Sequence, residues 1–225
     1  NFKHMNILLI GPQGSGKGTQ AEKLIGSFDL AHVEMGGLLR KISKEENPLG
    51  EKVSDLINNG KMVPDEIIIE IVNKYLSSIG RLDGILFDGF PRIISQAQYF
   101  EKYLESKNQK LDLVINLSLP REEVFKRLSS RRTCEQCGHI FNIVTNPPKT
   151  EGVCDSCGGE LIIRKDETPE KINARLDAFE NQTVPMIEFF RKKGLVEEVD
   201  GNRPIETIFA DIVERLKKRS LVENV

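Results

Sequence analysis

Short apolar runs recur along the chain and alternate with amphipathic segments. The runs lie at residues 5–10, 84–87, 113–117 and 195–199, with a weaker one at 31–34. The first run ends in Gly11-Pro12, a turn signal. Runs of this length are typical of strands that are buried on both faces of a parallel sheet. Each run is therefore predicted to be a strand.

The segments between these runs carry helical periodicity. In residues 64–79 apolar side chains share one face, and Pro64, Asp65 and Glu66 form a favourable first turn. A second pattern opens at Thr168-Pro169-Glu170 and carries Ile172, Leu176, Phe179, Ile187 and Phe190. Buried strands that alternate with helices predict an α/β fold with a doubly wound parallel sheet and right-handed crossovers.

Two segments depart from this alternation. Residues 35–63 have helical patterns without a strand between them, and residues 133–163 are rich in Cys, Gly and Pro with short β-prone pieces. We interpret both as insertions into the α/β core.

Composition narrows the classes of protein. The chain has 225 residues, of which 39% are hydrophobic and 29% charged, so it can build a core and is not wholly disordered. A formal net charge of −2 argues against a dedicated nucleic-acid binder. No apolar run approaches the ~20 residues of a membrane helix. Because no secretory pattern is evident either, we expect a cytoplasmic protein.

A glycine-rich segment, residues 11–19, follows the first predicted strand and leads into a helix start. Its glycines allow successive N–H groups to hold phosphate oxygens at a helix N-terminus, and Lys17 adds a cation. Gly18 stands where the common phosphate-loop pattern has a hydroxyl residue, and Thr19 follows it. A turn without a ligand is the alternative, but the strand–loop–helix context favours a phosphate loop.

The cysteines form two Cys-x2-Cys pairs, Cys134 with Cys137 and Cys154 with Cys157. This spacing predicts a four-thiolate zinc site, which is structural because it leaves no open coordination position. Two disulfides and a nucleic-acid-binding zinc ribbon are the alternatives.

Seven arginines are candidate anion ligands: Arg40, Arg92, Arg127, Arg131, Arg132, Arg164 and Arg175. For any one of them a surface salt bridge is the commoner explanation. Arg175 lies at the edge of a buried stripe, where it needs a carboxylate or a phosphate. As a set beside a phosphate loop, they suggest a clamp for a second phosphate group.

Several motifs together resemble the adenylate kinase family, in its long-lid, zinc-containing form. They are Gly11 to Gln20, Asp88-Gly89-Phe90-Pro91-Arg92, Arg131-Arg132, Asn146-Pro147-Pro148-Lys149 and Arg164-Lys165-Asp166. The resemblance implies a phosphate-loop nucleoside monophosphate kinase fold, with five parallel strands flanked by helices and two inserted subdomains. It implies a core of residues 1–33, 64–129 and 168–225, an AMP-binding insertion at 34–63 and a zinc-binding lid at 130–167.

The resemblance also implies the site residues. Lys17, Arg92, Arg131, Arg164 and Arg175 would be catalytic. ATP would contact Gly14, Ser15, Gly16, Lys17, Gly18, Thr19, Arg127, Arg131, Ile140, Phe141 and the backbone of Arg203. AMP would contact Met35, Arg40, Lys61, Met62, Val63, Gly89, Arg92, Gln96, Arg164 and Arg175. Asp88 would orient the waters of an ATP-bound Mg²⁺, and a capping Asp in a turn is the alternative for this residue.

The chain departs from the family pattern at two places. Met35-Gly36-Gly37 stands where the family usually has Thr-Gly-Asp, so the acceptor base loses a hydroxyl partner and the site loses a carboxylate. Gln13 replaces the usual Pro of the phosphate loop, which should change its stiffness more than its chemistry. Because Gln96 matches the AMP-specific pattern, AMP is the expected acceptor.

The expected reaction is reversible phosphoryl transfer from Mg·ATP to AMP by a cytoplasmic monomer that binds neither nucleic acid nor membrane. A CMP or UMP kinase is the alternative enzyme, motivated by Met35. A phosphate-loop and zinc module that binds nucleic acid is the alternative outside catalysis.

Overall fold

The computed structural model of the chain describes residues 5–59, 63–144, 146–164 and 167–222. Strands and helices alternate in the first half as β1 (Ile7–Ile10), α1 (Lys17–Ser27), β2 (Ala31–Glu34), α2 (Met35–Ile42), α3 (Pro48–Asn58), α4 (Asp65–Ile79), β3 (Ile85–Asp88), α5 (Ile94–Ser106), β4 (Leu113–Ser118) and α6 (Arg121–Ser129). The second half contains β5 (Arg131–Cys134), β6 (Ile140–Asn142), β7 (Leu161–Ile162), α7 (Pro169–Ala178), a π-helical turn (Phe179–Thr183), α8 (Val184–Arg191), β8 (Val196–Asp200) and α9 (Ile205–Lys218).

Five strands form a parallel sheet in the order β2-β3-β1-β4-β8. Its central strand is buried on both faces, since Ile7, Leu8 and Leu9 have no exposed surface. Leu8 belongs to a core shared with α4, α5 and α8, whereas Ile7 and Leu9 pack with α1 and α9. The predicted parallel α/β sheet is confirmed, and each predicted apolar run overlaps one of its strands.

The helical predictions hold, with one local difference. α4 buries Ile67, Ile68 and Leu76 on the expected face. The pattern that opens at Thr168 gives two α-helices separated by a π-helical turn. Pro185, at the start of α8, lacks the N–H that an α-helix would require there, so the chain widens locally.

The two segments that break the alternation have different structures. Residues 35–59 hold α2 and α3, and no strand lies within that described range. Residues 131–162 contain an antiparallel sheet in the order β6-β5-β7. Four side chains form a separate small core in this second segment: Cys134, Phe141, Cys154 and Leu161. We refer to residues 130–167 as the lid.

The strand order places three chain turns at one edge of the sheet. Gly11 follows β1, Met35 follows β2 and Gly89 follows β3, and these strands are parallel neighbours. In open α/β sheets, ligands bind outside the carboxyl ends of the strands.

Over the described ranges, none of the helices combines the length and apolar character that a membrane span requires.

Candidate active site

The turn between β1 and α1 has a backbone that only glycine adopts easily. Gly14 and Gly16 have φ of 80° and 93°, in the left-handed region. A Cβ on Gly11 would lie 2.5 Å from the carbonyl oxygen of Leu117, so no side chain fits there. At Gly16 and Gly18 a Cβ would meet nothing within 4 Å, which leaves their backbone open to a ligand.

Lys17 begins α1, and its side chain folds back over this turn. Its Nζ donates to the carbonyl oxygens of Gly11, at 2.7 Å, and Pro12, at 3.0 Å. Desolvation lowers the pKa of Lys17 to about 8, although Asp88 opposes the shift, and Arg92 and Arg131 add to it. A positive group in this turn is therefore short of compensating charge, and a phosphate would supply it.

Two hydroxyl residues, one on each side of Lys17, also suit an anion. Ser15 has no exposed surface, and its Oγ has no hydrogen-bond partner in the described part of the chain. Thr19 is exposed on the first turn of α1. N–H groups at a helix N-terminus, with an aligned dipole, favour phosphate oxygens.

Asp88 ends β3 at the same edge of the sheet. It is 7% exposed, and its register partners are Leu9 on β1 and Glu34 on β2. Burial raises the pKa of Asp88 against the opposing charges of Lys17 and Arg92. A carboxylate oxygen in this position is suited to the hydration shell of a hard cation such as Mg²⁺.

The segment after β3 supplies a group of the residues that were expected to bind the acceptor. Arg92 Nε donates to the carbonyl oxygen of Gly89 at 2.8 Å, and the backbone N–H of Arg92 donates to Gln96 Oε1 at 2.9 Å. Gln96 is 3% exposed, and its Nε2 donates to Asp65 Oδ1 at 2.8 Å. The buried side chain of Met35 approaches to 3.8 Å of the point where a Cβ on Gly89 would lie.

Thus Met35, Gly89, Arg92 and Gln96 lie together beyond the ends of β2 and β3. Val63 is buried in the core beneath them, at 8% exposure. Lys61 and Met62, which were also expected to line this pocket, lie outside the described residues, as do Lys165 and Asp166. Arg40, in the last turn of α2, forms a 2.9 Å ion pair from its Nη2 to Glu34 Oε1.

On the other side of the phosphate loop, Arg127 connects three segments. Its guanidinium donates to the carbonyl oxygens of Gly14, at 3.3 Å, and Gly201, at 2.9 Å, and to Asn202 Oδ1 at 3.1 Å. The side chain of Arg203 instead pairs with Asp211 at 2.5 Å. Arg127 therefore contacts the phosphate loop, and Arg203 directly follows Asn202, one of the other partners of Arg127.

The remaining candidate arginines have partners both near and far in sequence. Arg132 has only local ones among the contacts described, the carbonyl oxygens of Ser129 at 3.2 Å and Arg131 at 2.8 Å. Arg131, at the start of the lid, pairs with Glu167, whose side chain is 1% exposed. Arg164 Nε lies 3.8 Å from the same carboxylate. Arg175 Nη1 donates to Gln13 Oε1 in the phosphate loop at 3.1 Å. Arg131 and Arg164 thus converge on one buried carboxylate, and Arg175 contacts the loop directly.

The two adjacent apolar residues of the lid that were expected to contact ATP differ in solvent exposure. Ile140 is 48% exposed, whereas Phe141 is 4% exposed and lies in the small core of the lid. Only the Ile140 side chain is therefore open to a nucleotide, and Phe141 offers its backbone.

The four cysteines of the lid converge as their spacing predicts. Their Sγ atoms all lie within 4.8 Å of one another, with Cys134 to Cys157 at 3.4 Å and Cys137 to Cys154 at 3.6 Å. A tetrahedral zinc with Zn–S bonds of ~2.3 Å requires sulfurs about 3.8 Å apart, so the donor set fits. All four are free thiols, which does not support the disulfide alternative.

The two Cys-x2-Cys pairs have the same backbone conformation and the same backbone hydrogen bond. Gly138 and Gly158 both have φ of 75°, and their N–H groups donate to the carbonyl oxygens of Cys134 and Cys154 at 3.0 and 2.9 Å. The backbone N–H of Cys137 lowers the pKa of Cys134 to about 6. At Cys137 the N–H of His139 acts in the same direction, but the side chain of Cys157 and burial raise its pKa to about 12. Within the first pair, the Cys134 thiol is therefore the more readily ionised.

Sequence reasoning missed four polar residues of this region: Gln13 as a partner of Arg175, Glu34, Asp65 and Glu167. Glu34 had a signal, because it ends a predicted strand directly before Met35-Gly36-Gly37. Glu167 had a weaker one, since it precedes the N-cap Thr168. Gln13, Asp65 and Glu167 each have a partner that is distant in sequence, so local patterns did not identify these contacts.

Comparisons with known proteins agree with this geometry. The family model described as adenylate kinase matches residues 9–195. A protein named adenylate kinase from Carboxydothermus hydrogenoformans is 45% identical over 214 residues, which cover 95% of this chain and all of that protein.

Two further proteins named adenylate kinase are similar over comparable lengths. One from Clostridium beijerinckii is 42% identical over 94% of this chain and 98% of its own length. One from Staphylococcus epidermidis is 38% identical over 94% of this chain and 99% of its own length. These matches favour an enzyme over a nucleic-acid-binding module, and the chain belongs to the adenylate kinase family of nucleoside monophosphate kinases.

Proposed function

We propose that the protein transfers the terminal phosphoryl group of Mg·ATP to AMP and reversibly forms two ADP. The observation that carries the proposal is the pairing of β1 with β3, because it sets the phosphate loop beside the Asp88–Arg92 segment at one sheet edge. A donor triphosphate on the loop and an acceptor monophosphate near Arg92 would meet between them. The reactive oxygen of AMP is already anionic, so no general base is needed.

On the donor side, we assign the ATP phosphates to the backbone of residues 14–19 and to Lys17. Lys17 would exchange its two carbonyl contacts for phosphate oxygens. Arg127, the backbone of Arg203 and the exposed Ile140 would lie against the adenine. Support for this assignment comes from the contacts that Arg127 makes with both the loop and Gly201.

On the acceptor side, we assign the AMP phosphate to Arg40 and Arg92 and the base to Gln96 and Met35, with Val63 and Gly89 lining the pocket. Arg131, Arg164 and Arg175 would stabilise charge on the transferring group. Removing one preorganised group of this kind typically costs about 3–4 kcal/mol of barrier. The existing contacts of Arg175 with the loop and of Arg92 with Gly89 support placing them near the reacting phosphates.

Two metals belong to the proposal. Mg²⁺ would arrive with ATP and neutralise its phosphates, and Asp88 would hold the metal-bound waters. Zn²⁺ would be bound by Cys134, Cys137, Cys154 and Cys157 and would stabilise the lid.

We also propose that residues 34–63 and 130–167 are the parts that move around the core. Closure of the lid would exclude water from the phosphoryl transfer. The protein would act as a cytoplasmic monomer.

The test is ADP formation from ATP with a panel of AMP, CMP, UMP and GMP. The proposal predicts the highest kcat/KM with AMP and an obligatory requirement for Mg²⁺. CMP or UMP ranking above AMP would contradict the acceptor while leaving the kinase class intact. Met35 motivates that second candidate, because its thioether offers the base no hydrogen bond.

A further inference from the structure

Glu34 and Arg40 form an ion pair within the acceptor side of the site. Glu34 Oε1 lies 2.9 Å from Arg40 Nη2, and the two side chains are 42% and 48% exposed. Glu34 is the last residue of β2, and Arg40 is in the last turn of the following helix, α2. The pair therefore spans the whole first part of α2.

Two glycines lie under this pair. A Cβ on Gly37 would lie 2.3 Å from Glu34 Oε2, and one on Gly36 would lie 3.2 Å from Glu34 Oε1 and 3.1 Å from Arg40 Nη1. Both positions are inside α2, and neither has the positive φ that would require glycine. Glycine in a helix costs ~1 kcal/mol relative to alanine. What glycine provides here is space, and the Glu34 carboxylate fills it.

We propose that Glu34 is an internal counter-ion for Arg40. The Glu34 carboxylate pairs with the Arg40 guanidinium until the phosphate of the acceptor nucleotide displaces the carboxylate. The inference rests on the proposed function, in which Arg40 binds that phosphate. A phosphate dianion carries more charge than a carboxylate and three strong acceptor oxygens, so it displaces the carboxylate from the guanidinium. Glu34 thereby sets the affinity for the acceptor without contacting the donor nucleotide.

The expected change in acceptor affinity follows from the solvent exposure of the Glu34 and Arg40 side chains. Exposed ion pairs are weak, so releasing Arg40 from Glu34 should tighten acceptor binding about two- to fivefold. Binding of ATP in the absence of Mg²⁺ should not change, since Lys17 and the phosphate loop make none of these contacts. A role for Glu34 in folding alone would change the melting temperature and leave the ratio of the two affinities unaltered.

The experiment is isothermal titration of AMP, and separately of ATP, into the full-length protein and its variants. In Glu34→Gln we expect the Kd for AMP to fall two- to fivefold with an unchanged Kd for ATP. Gly37→Ala should act in the same direction, because the added methyl displaces the carboxylate. The two changes should not add, since both release the same guanidinium. Glu51→Gln, on the exposed surface of α3, is the matched control for loss of one negative charge.

Arg40→Gln provides the second control. In that background Glu34→Gln should leave the Kd for AMP unchanged, because the guanidinium that Glu34 occupies is gone. If the wild type binds AMP and Glu34→Gln leaves that affinity unchanged or weaker, the counter-ion role is wrong and the proposed reaction stands. If the wild type itself binds no AMP, the proposed acceptor fails and the counter-ion role fails with it.

Discussion

Gln13 Oε1 accepts a 3.1 Å hydrogen bond from Arg175 Nη1, which joins the phosphate loop to α7 across 162 residues of sequence. The sequence led us to expect a carboxylate or a phosphate beside Arg175, and the structure supplies an amide oxygen. An amide orients the guanidinium without cancelling its charge. Gln13, which replaces the usual Pro, therefore contributes a contact with Arg175.

Gln13→Ala should lower kcat by about two- to tenfold, because one intramolecular hydrogen bond contributes roughly 0.5–1.5 kcal/mol. Arg175 would then lose one of the contacts that orient it before the reaction. Steady-state kinetics with ATP and AMP measure the change. Gln98→Ala on the exposed face of α5 serves as the control, and an unaltered kcat in Gln13→Ala would mean that the contact does not position Arg175.

Lys17 should give the reaction an alkaline limb. Its pKa of about 8 in the free protein means that the ammonium is lost as the pH rises through that value. We expect kcat/KM for ATP to fall above about pH 8, and kcat to hold to higher pH because bound phosphates raise the pKa of Lys17. Initial rates measured as a function of pH separate the two profiles. A kcat/KM for ATP that stays flat through this range would contradict the assignment.

The lowered pKa of Lys17 also makes the free energy of unfolding depend on pH. The pKa of Lys17 falls from 10.5 to about 8 on folding, so between these values the unfolded chain holds a proton that the folded chain has released. The contribution of this group to the free energy of unfolding therefore rises with pH across that window.

Lys17→Met should remove this contribution and lower activity by about two to three powers of ten. Lys23→Met, also on α1, should retain activity.

Zinc should be present at about one ion per chain by elemental analysis. Chelation should lower the melting temperature, because structural zinc sites supply much of the folding free energy of small units. Cys137→Ser, at an exposed ligand position, should reproduce the effect, whereas Ser156→Ala between the second pair should not. A metal-free protein that melts at the wild-type temperature would show that the thiols stabilise the lid without an ion.

Met35 should limit discrimination between acceptor bases. Met35→Thr would add a hydroxyl, so the ratio of kcat/KM for AMP to that for CMP should rise about two- to tenfold. The shorter side chain should also lower stability, because Met35 is only 2% exposed. Met35→Leu keeps the volume without a hydroxyl and should leave the ratio unchanged. Equal ratios in all three proteins would place the side chain at 35 away from the base.

The sequence predicted the sheet and the positions of its turns because burial on both faces leaves a local signature. Ile7, Leu8 and Leu9 are apolar in succession, and the glycines after β1 are required by backbone conformation. The Cys-x2-Cys spacing likewise constrains a short segment, and the sulfurs converge as expected. These predictions depend on neighbours within a few residues.

Pairings between distant side chains were not predictable in this way. The carboxylate of Glu167 meets Arg131 only because the two ends of the lid return to the same place. The π-helical turn after Ala178 was also missed, since apolar spacing continues through it and only Pro185 signals a change. Such features depend on how whole segments pack, and periodicity carries no information about that.

The lid has its own apolar cluster, which is separate from those on the two faces of the sheet. Two of its four members are cysteines whose sulfurs lie beside the other pair. Damage to this cluster therefore stays local, and the large β-sheet layers do not have to repack when it changes. The lid can therefore tolerate substitutions in this cluster independently of the two cores that flank the sheet.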